Sequence, residues 1–145
     1  MSVEVCQYQQ AAALLPLALP QLRRLLRVMH AALPDEAGAE VLCDVELHIV
    51  RDGMIAAANS RYMGCHGPTN VLSFPGGGGM AGILVLSADT LLREAALYGQ
   101  VPEEHCVRLL AHGMGHLLGH DHGPEMDALC ATMEEAALQA MYEDM

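Results

Sequence analysis

The 145-residue chain has no Lys and no Trp, and its aromatic rings amount to one Phe and four Tyr. Seven Arg oppose eighteen Asp and Glu, which leaves a formal net charge of −11. This composition excludes a polybasic tail or a nucleic-acid binder that works by neutralising many phosphates. The 3% aromatic content argues against binding that depends on the stacking of bases. A local group of Arg is still compatible with these totals, because net charge does not describe a single site.

The cysteines form no recognisable pattern. There are five, and no two have the C-x-x-C spacing, so neither a disulfide framework nor a four-cysteine zinc site is predicted. Dispersed thiols of this kind are typical of the reducing cytoplasm. The first ten residues carry no basic side chain, unlike a signal peptide, and the longest apolar run, residues 11–20, is about half the length that spans a bilayer. We therefore expect a soluble, cytoplasmic protein with no membrane partner.

Length and hydrophobic periodicity predict one domain of the α+β class over residues 1–145. Short apolar segments predict four strands, at residues 3–5, 43–50, 71–74 and 83–86. Apolar residues at helical spacing predict five helices, at residues 16–33, 54–63, 88–98, 102–118 and 124–141. Asp52 and Ser87 are predicted to cap the second and third of these helices. The order β-α-β-α-β-β-α-α-α therefore predicts a four-stranded mixed sheet packed with about five helices.

Histidines are concentrated near the end of the fourth predicted helix. His112 and His116 are four residues apart, a spacing that places both imidazoles on one helix face, about 5–6 Å apart at Cβ. Two such imidazoles can bind one metal ion. Gly119 lets the chain leave the helix through a left-handed turn, which can bring His122 back to that ion as a third ligand. Three imidazoles with an open fourth position are typical of a catalytic zinc site. We therefore predict one zinc ion per chain at the end of this helix, with His120 as the alternative third ligand.

The same spacing is found in the H-E-x-x-H-x-x-G-x-x-H pattern of metzincin peptidases, in which the Glu is the general base. Gly113 occupies the position of that Glu, so the pattern keeps the metal ligands and loses the base. Asp121 is the nearest carboxylate that can replace it. The alternative role for Asp121 is that of a turn residue or an acceptor for the N–H of a ligating His. His105 shares the helix face of His112, and we expect it to be a hydrogen-bond partner of the site or a surface residue.

Three segments resemble one protein family. His112–His122 resembles the H-G-x-x-H-L-x-G-x-D-H signature of the YbeY family, bacterial rRNA maturation factors described as zinc-dependent endoribonucleases. Pro68–Pro75 is similar to the family's P-T-D/N-V-L-S-F-P run, and Tyr142–Asp144 to its terminal G-Y-E-D. The resemblance implies zinc on His112, His116 and His122. It also implies cleavage of single-stranded RNA in 16S rRNA 3′-end maturation and ribosome quality control.

Two positions depart from the family pattern. The family usually carries Arg in a Tyr-Arg-Gly triplet, as the expected partner of phosphate, and this chain has Met63 there. Where the family has a G-D-I run at the start of the fourth strand, this chain has Ala81-Gly82-Ile83, so Gly82 stands in place of the Asp. We take Arg61, Arg51 and Ser73 as candidate substrate-binding residues. Ribosomal RNA is the expected partner, together with a ribosomal protein of the small subunit.

Two alternatives stay open at this point. One is a zinc hydrolase of another class, such as a peptidase without its Glu. The other is a ribosome-associated factor with reduced nuclease activity, for which Met63 and Gly82 are the supporting features.

Overall fold

The structure, a computed structural model, describes residues 1–144, so Met145 of the predicted domain lies outside the described residues. The strands are β1 (Ser2–Gln7), β2 (Asp44–Val50), β3 (Val71–Phe74) and β4 (Gly82–Ser87). The helices are α1 (Leu19–Ala31), α2 (Asp52–Met63), α3 (Ala88–Leu97), α4 (Pro102–Leu117) and α5 (Pro124–Glu143). The predicted α+β class and the predicted element order are both confirmed. Within residues 1–144, no helix is long and apolar enough to cross a membrane.

The four strands form one mixed sheet in the order β1-β2-β4-β3. β1, β2 and β4 are parallel to one another, while β3 pairs antiparallel with β4 and lies at the edge. The parallel strands are joined through helices, as parallel neighbours require. β3 and β4 form a hairpin instead, closed by the glycine-rich turn of residues 76–79. The edge position of β3 places it beside the histidine segment, because α4 contacts β3 directly.

The two faces of the sheet are covered differently. Val45, Leu47 and Ile49 alternate along β2 toward one face and are buried in the main core with apolar residues of α1 and α4. α5 packs against α1 and α4. The opposite face carries a smaller buried cluster, in which Val50 and Leu72 of the sheet pack under Ile55 of α2. The predicted histidine site therefore belongs to the face that α4 covers.

The two predicted helix caps have different outcomes. Ser87 caps α3 as predicted, because its Oγ accepts a hydrogen bond from the backbone N–H of Thr90 at 3.1 Å. Asp52 does not cap α2 but lies in its first turn. The hydroxyls of Ser87 and Thr90 donate to the Asp52 carboxylate at 2.8 and 2.7 Å, and Arg93 donates to it at 3.0 Å. The carboxylate thus has three donors from α3 and its cap, which joins the starts of α2 and α3.

The first helix is shorter than the predicted segment of residues 16–33. α1 begins at Leu19, and the backbone N–H of Ala18 donates to the Gln21 side chain at 2.8 Å, which fixes this start. The segment before it contains a short 3-10 turn at Ala11–Leu14. Pro16 therefore lies outside the helix, and Pro20 lies in its first turn, where the missing N–H has no partner to lose.

Candidate metal centre

The histidine site is built at the C-terminal end of α4 and in the turn that follows it. His112 and His116 lie on the last turns of the helix. Gly119 has φ +91°, a left-handed conformation that favours glycine, and the chain reverses there. The reversal brings His122 to the other two rings, with centroids 5.1 Å from His112 and 5.2 Å from His116. One ring nitrogen from each of the three residues lies within 4.8 Å of the others.

The His116 ring is oriented by the turn itself. Its Nδ1 lies 2.9 Å from the backbone carbonyl oxygen of His120. Because a carbonyl only accepts, Nδ1 carries the hydrogen, and in the neutral ring Nε2 keeps its lone pair. That Nε2 lies 3.1 Å from Nε2 of His112, so a proton or a cation must lie between the two nitrogens. Metal-binding His residues commonly donate their other N–H in this way, and His120 therefore contributes its backbone to the site.

The site favours the uncharged form of the His112 imidazole. Burial, followed by the neighbouring imidazoles of His116 and His122, lowers the pKa of His112, and the carboxylate of Asp127 opposes this in part. Neutral imidazole is the form that binds a metal. His112 and His116 are partly buried, while His122 is exposed. The cluster therefore has two rings supported by the protein and one that opens to solvent.

Gly113 explains how α4 comes close enough to the sheet. A Cβ placed on Gly113 would lie 2.8 Å from Cδ2 of Leu84 and 3.4 Å from Oγ of Ser73. The Ser73 hydroxyl donates to the Gly113 carbonyl at 3.1 Å and ties β3 to the helix. A Glu at this position would have to place a charged chain against the fully buried Leu84. The packing thus accounts for the absence of the peptidase base at this position.

The three histidines line a cleft of about 610 Å³ between β3 and the turn after α4. Ser73 and Asp121, two of the candidate substrate and catalytic residues, are among its lining residues. Within residues 1–144, Asp121 makes no side-chain hydrogen bond, and its carboxylate is exposed. The lining residues are Met63, Thr69, Asn70, Val71, Leu72, Ser73, Pro75, His112, His116, Gly119, His120, Asp121 and His122.

The site and the fold can be compared with known proteins. A family model described as Endoribonuclease YbeY matches residues 7–143. The chain belongs to the endoribonuclease YbeY family. A protein of Nitratidesulfovibrio vulgaris named Endoribonuclease YbeY is 44% identical over 89% of this chain and 90% of its own length. A protein of the same name from Chloroflexus aggregans is 35% identical over 77% of this chain and 87% of its own length.

A solved structure shows the same fold. The solution structure of TM1509 from Thermotoga maritima matches with a TM-score of 0.66 and covers 98% of this chain and 93% of its own. Its sequence identity is 19%, so this likeness bears on the fold alone.

The structure does not bring the two Arg candidates into the cleft. Arg51 is paired with Asp89, its Nε lying 2.9 and 3.0 Å from the two carboxylate oxygens, and this guanidinium holds the pKa of the Asp89 carboxyl below its ordinary value. The guanidinium of Arg61 lies over the Tyr62 ring, 5.4 Å from its centroid. Met63, at the position where the YbeY pattern has Arg, does line the cleft. No Arg among residues 1–144 lines this cleft.

One part of the site was not predicted from the sequence. His105, predicted to lie near the metal or at the surface, is buried, and its Nε2 lies 3.0 Å from the carboxylate of Glu94. The same carboxylate accepts from Nδ2 of Asn70 at 3.1 and 3.3 Å. Asn70 lines the cleft and opens β3, and its Oδ1 accepts from the backbone N–H of Val71 at 2.7 Å. The sequence signal was the Asn in the YbeY run Pro68–Pro75, but it did not identify the partners.

Proposed function

We propose that this chain is a zinc-dependent endoribonuclease that cleaves single-stranded RNA, acting in the cytoplasm in 16S rRNA 3′-end maturation and ribosome quality control. The observation that carries the proposal is the convergence of three imidazoles in an open cleft of a chain that belongs to the endoribonuclease YbeY family. The substrate class, the metal and the biological process follow from that family resemblance.

The donor set supports zinc as the metal. His112, His116 and His122 would hold it through imidazole nitrogen, a ligand that suits zinc. In the described part of the chain the cluster includes no Cys and no carboxylate, so the fourth position stays open, as in catalytic sites. The His120 carbonyl fixes the His116 ring in the tautomer with a free Nε2. When bound, zinc would supply Lewis acidity toward a phosphate oxygen and toward water.

The protein's own groups would position RNA and accept a proton. The Ser73–Gly113 hydrogen bond holds α4 against β3, which keeps His112 at the wall of the cleft. Asp121 is an exposed carboxylate in the lining, and we assign it the role of proton acceptor for the attacking water. Because no Arg among residues 1–144 lines the cleft, a second contact through a ribosomal protein of the small subunit is part of the proposal.

The test compares RNA and peptide cleavage under metal control. The purified protein is incubated with single-stranded RNA of the 16S 3′ precursor and with a peptide library, after zinc loading, after chelation and after zinc is restored. We expect cleavage of RNA in the first and third conditions. His116→Ala should abolish it, whereas His66→Ala, at an exposed His outside the cluster, should not.

Three outcomes would contradict this function. Chelator-resistant cleavage of RNA would contradict metal dependence, and cleavage of peptide without RNA would restore the peptidase alternative. Intact binding to ribosomes without cleavage of either substrate would favour the factor with reduced nuclease activity, which the presence of Met63 in the cleft also favours.

A further inference from the structure

A second groove, of about 530 Å³, lies on the opposite face of the sheet beside α2. It is lined by Tyr8, Tyr62, Phe74 and His48, together with aliphatic side chains of β2, β4 and α2. We call it the aromatic groove. Three of the five aromatic side chains of the chain line it. The low aromatic content argues against base stacking over the molecule as a whole, but this one place concentrates most of the rings.

Tyr62 has the geometry of a stacking surface. Its side chain is 61% exposed, and its ring is supported edge-on by Phe74, with centroids 5.5 Å apart. The guanidinium of Arg61 lies 5.4 Å from its centroid. Unpaired bases stack on exposed aromatic side chains, and Arg guanidinium groups add cation–π contacts to such sites. An exposed apolar groove of this size is also more typical of a binding site than of an ordinary surface.

Polar groups lie at one end of the groove. Glu46 accepts from Nε2 of His48 at 3.0 Å, so in the neutral ring Nδ1 is the acceptor. The Tyr8 hydroxyl lies 2.8 Å from that Nδ1 and donates to it, while the two rings stack with centroids 5.7 Å apart. The Tyr8 oxygen keeps its acceptor lone pairs, which can receive an N–H from the edge of a base.

The aromatic groove and the histidine cleft share their walls. Tyr62 lines the groove, and the next residue, Met63, lines the cleft. On β3, Phe74 lines the groove while its neighbours Ser73 and Pro75 line the cleft, because successive side chains point to opposite faces. β3 is the edge strand of the sheet. A single strand of RNA that crosses this edge reaches both openings.

We propose that the aromatic groove holds one unpaired base of the RNA substrate, stacked on Tyr62, and thereby sets where the strand enters the histidine cleft. The inference rests on the proposed function, because it names a contact of the same substrate. The occupant is a nucleobase; an apolar side chain of a partner protein is the competing occupant.

The test measures RNA affinity, which does not require cleavage. A fluorescent single-stranded RNA of the 16S 3′ precursor is titrated with the zinc-loaded protein and with the chelated protein. Tyr62→Ala should weaken binding roughly 5- to 140-fold, since stacking contributes about 1–3 kcal/mol per base. Tyr98→Ala is the matched control, because Tyr98 is 60% exposed but does not line the groove; its affinity should be unchanged.

Two further variants keep the result interpretable. Tyr62→Phe retains the ring and should retain the affinity, which separates stacking from the fold. In a set of RNAs, one nucleotide at a time is made abasic. At one position, the missing base should weaken binding to the wild-type protein but should not weaken binding to Tyr62→Ala any further. Thermal unfolding of each variant checks that the fold is intact.

Several outcomes would overturn the inference. Equal affinities of Tyr62→Ala and Tyr98→Ala would do so, as would unchanged RNA binding with loss of association to a small-subunit protein. If cleavage depends on zinc but Tyr62→Ala does not change RNA binding, the proposed function stands and base stacking in the groove is rejected. A Tyr62-specific loss of RNA binding in a protein that cuts no RNA supports the groove and rejects the proposed function.

Discussion

Gly113→Ala is the substitution that tests how the metal site is held against the sheet. The added Cβ would lie 2.8 Å from Cδ2 of Leu84 and 3.4 Å from Cγ2 of Val71, and Leu84 is fully buried. Overpacking of such a contact costs about 1–3 kcal/mol, while Ala in place of Gly inside a helix contributes about 0.8–1.0 kcal/mol of stability. The net effect is a loss of about 1 kcal/mol, with His112 displaced from the cleft wall.

Gly115→Ala, two residues along the same helix, is the matched control. Its Cβ would lie 3.0 Å from Cε of Met126, the end of a flexible side chain that adapts at little cost. The helix-propensity gain then applies almost in full, so this variant should be as stable as the wild type or slightly more stable. Urea unfolding of the two variants measures the difference, which we expect to be about 1–2 kcal/mol. Equal stabilities, or a more stable Gly113→Ala, would refute the close-packing argument.

Three other predictions concern the metal, the substrate and the buried network. Zinc at about 100 times its Kd should stabilise the protein by roughly 2.7 kcal/mol, or about 5–11 °C in Tm. His122→Ala should lose this shift in Tm and His120→Ala should keep it. Equal shifts in the two variants would contradict the ligand set. Met63→Arg should lower the KM for RNA about 10- to 140-fold, since a charged hydrogen bond contributes roughly 1.5–3 kcal/mol. The uncharged Met63→Gln should not lower it, and an unchanged KM in both variants would show that phosphate does not lie there. Glu94→Ala should cost about 1–3 kcal/mol in urea unfolding because it leaves the buried His105 without its partner; no loss would show that the pair is not stabilising.

The fold was predictable because its signals are local. Alternation of apolar residues along β2 and helical spacing in α4 each identify an element from a short segment. The nine predicted strands and α-helices all occur in the predicted order. The convergence of His112, His116 and His122 depends on one helix turn and one glycine turn. Both are contained in eleven consecutive residues, so the spacing predicts the convergence, although it left His120 open as the third ligand.

The pairing of polar side chains was not predictable, because it joins distant segments. Arg51 was a candidate for RNA binding from its charge, but it meets Asp89 where the starts of α2 and α3 come together. His105 was expected to be a hydrogen-bond partner of the site or a surface residue. It is buried, and its ring pairs with Glu94 of α3, a partner that the spacing did not identify. Helical spacing predicts the direction in which a side chain points. It does not predict which other element packs against that side of the helix. The prediction of Asp52 as a cap is wrong for the same reason, since its hydrogen-bond donors lie on α3 and at the cap of that helix.

A net charge of −11 argues against recognition that depends on neutralising many phosphates. Three of the seven Arg are paired with carboxylates, Arg24 with Asp144, Arg51 with Asp89 and Arg93 with Asp52. Arg61 lies beside the aromatic groove, and one Arg neutralises at most about one phosphate. Each neutralised phosphate contributes a slope of about −0.7 to log K against log salt in single-strand binding. The contribution of counterion release at the groove is therefore small. On the proposed function, affinity would then come from a metal held by the histidines and from stacking in the aromatic groove. Because a base can stack in the groove only when it is not paired in a helix, the proposed stacking would also restrict cleavage to single-stranded RNA.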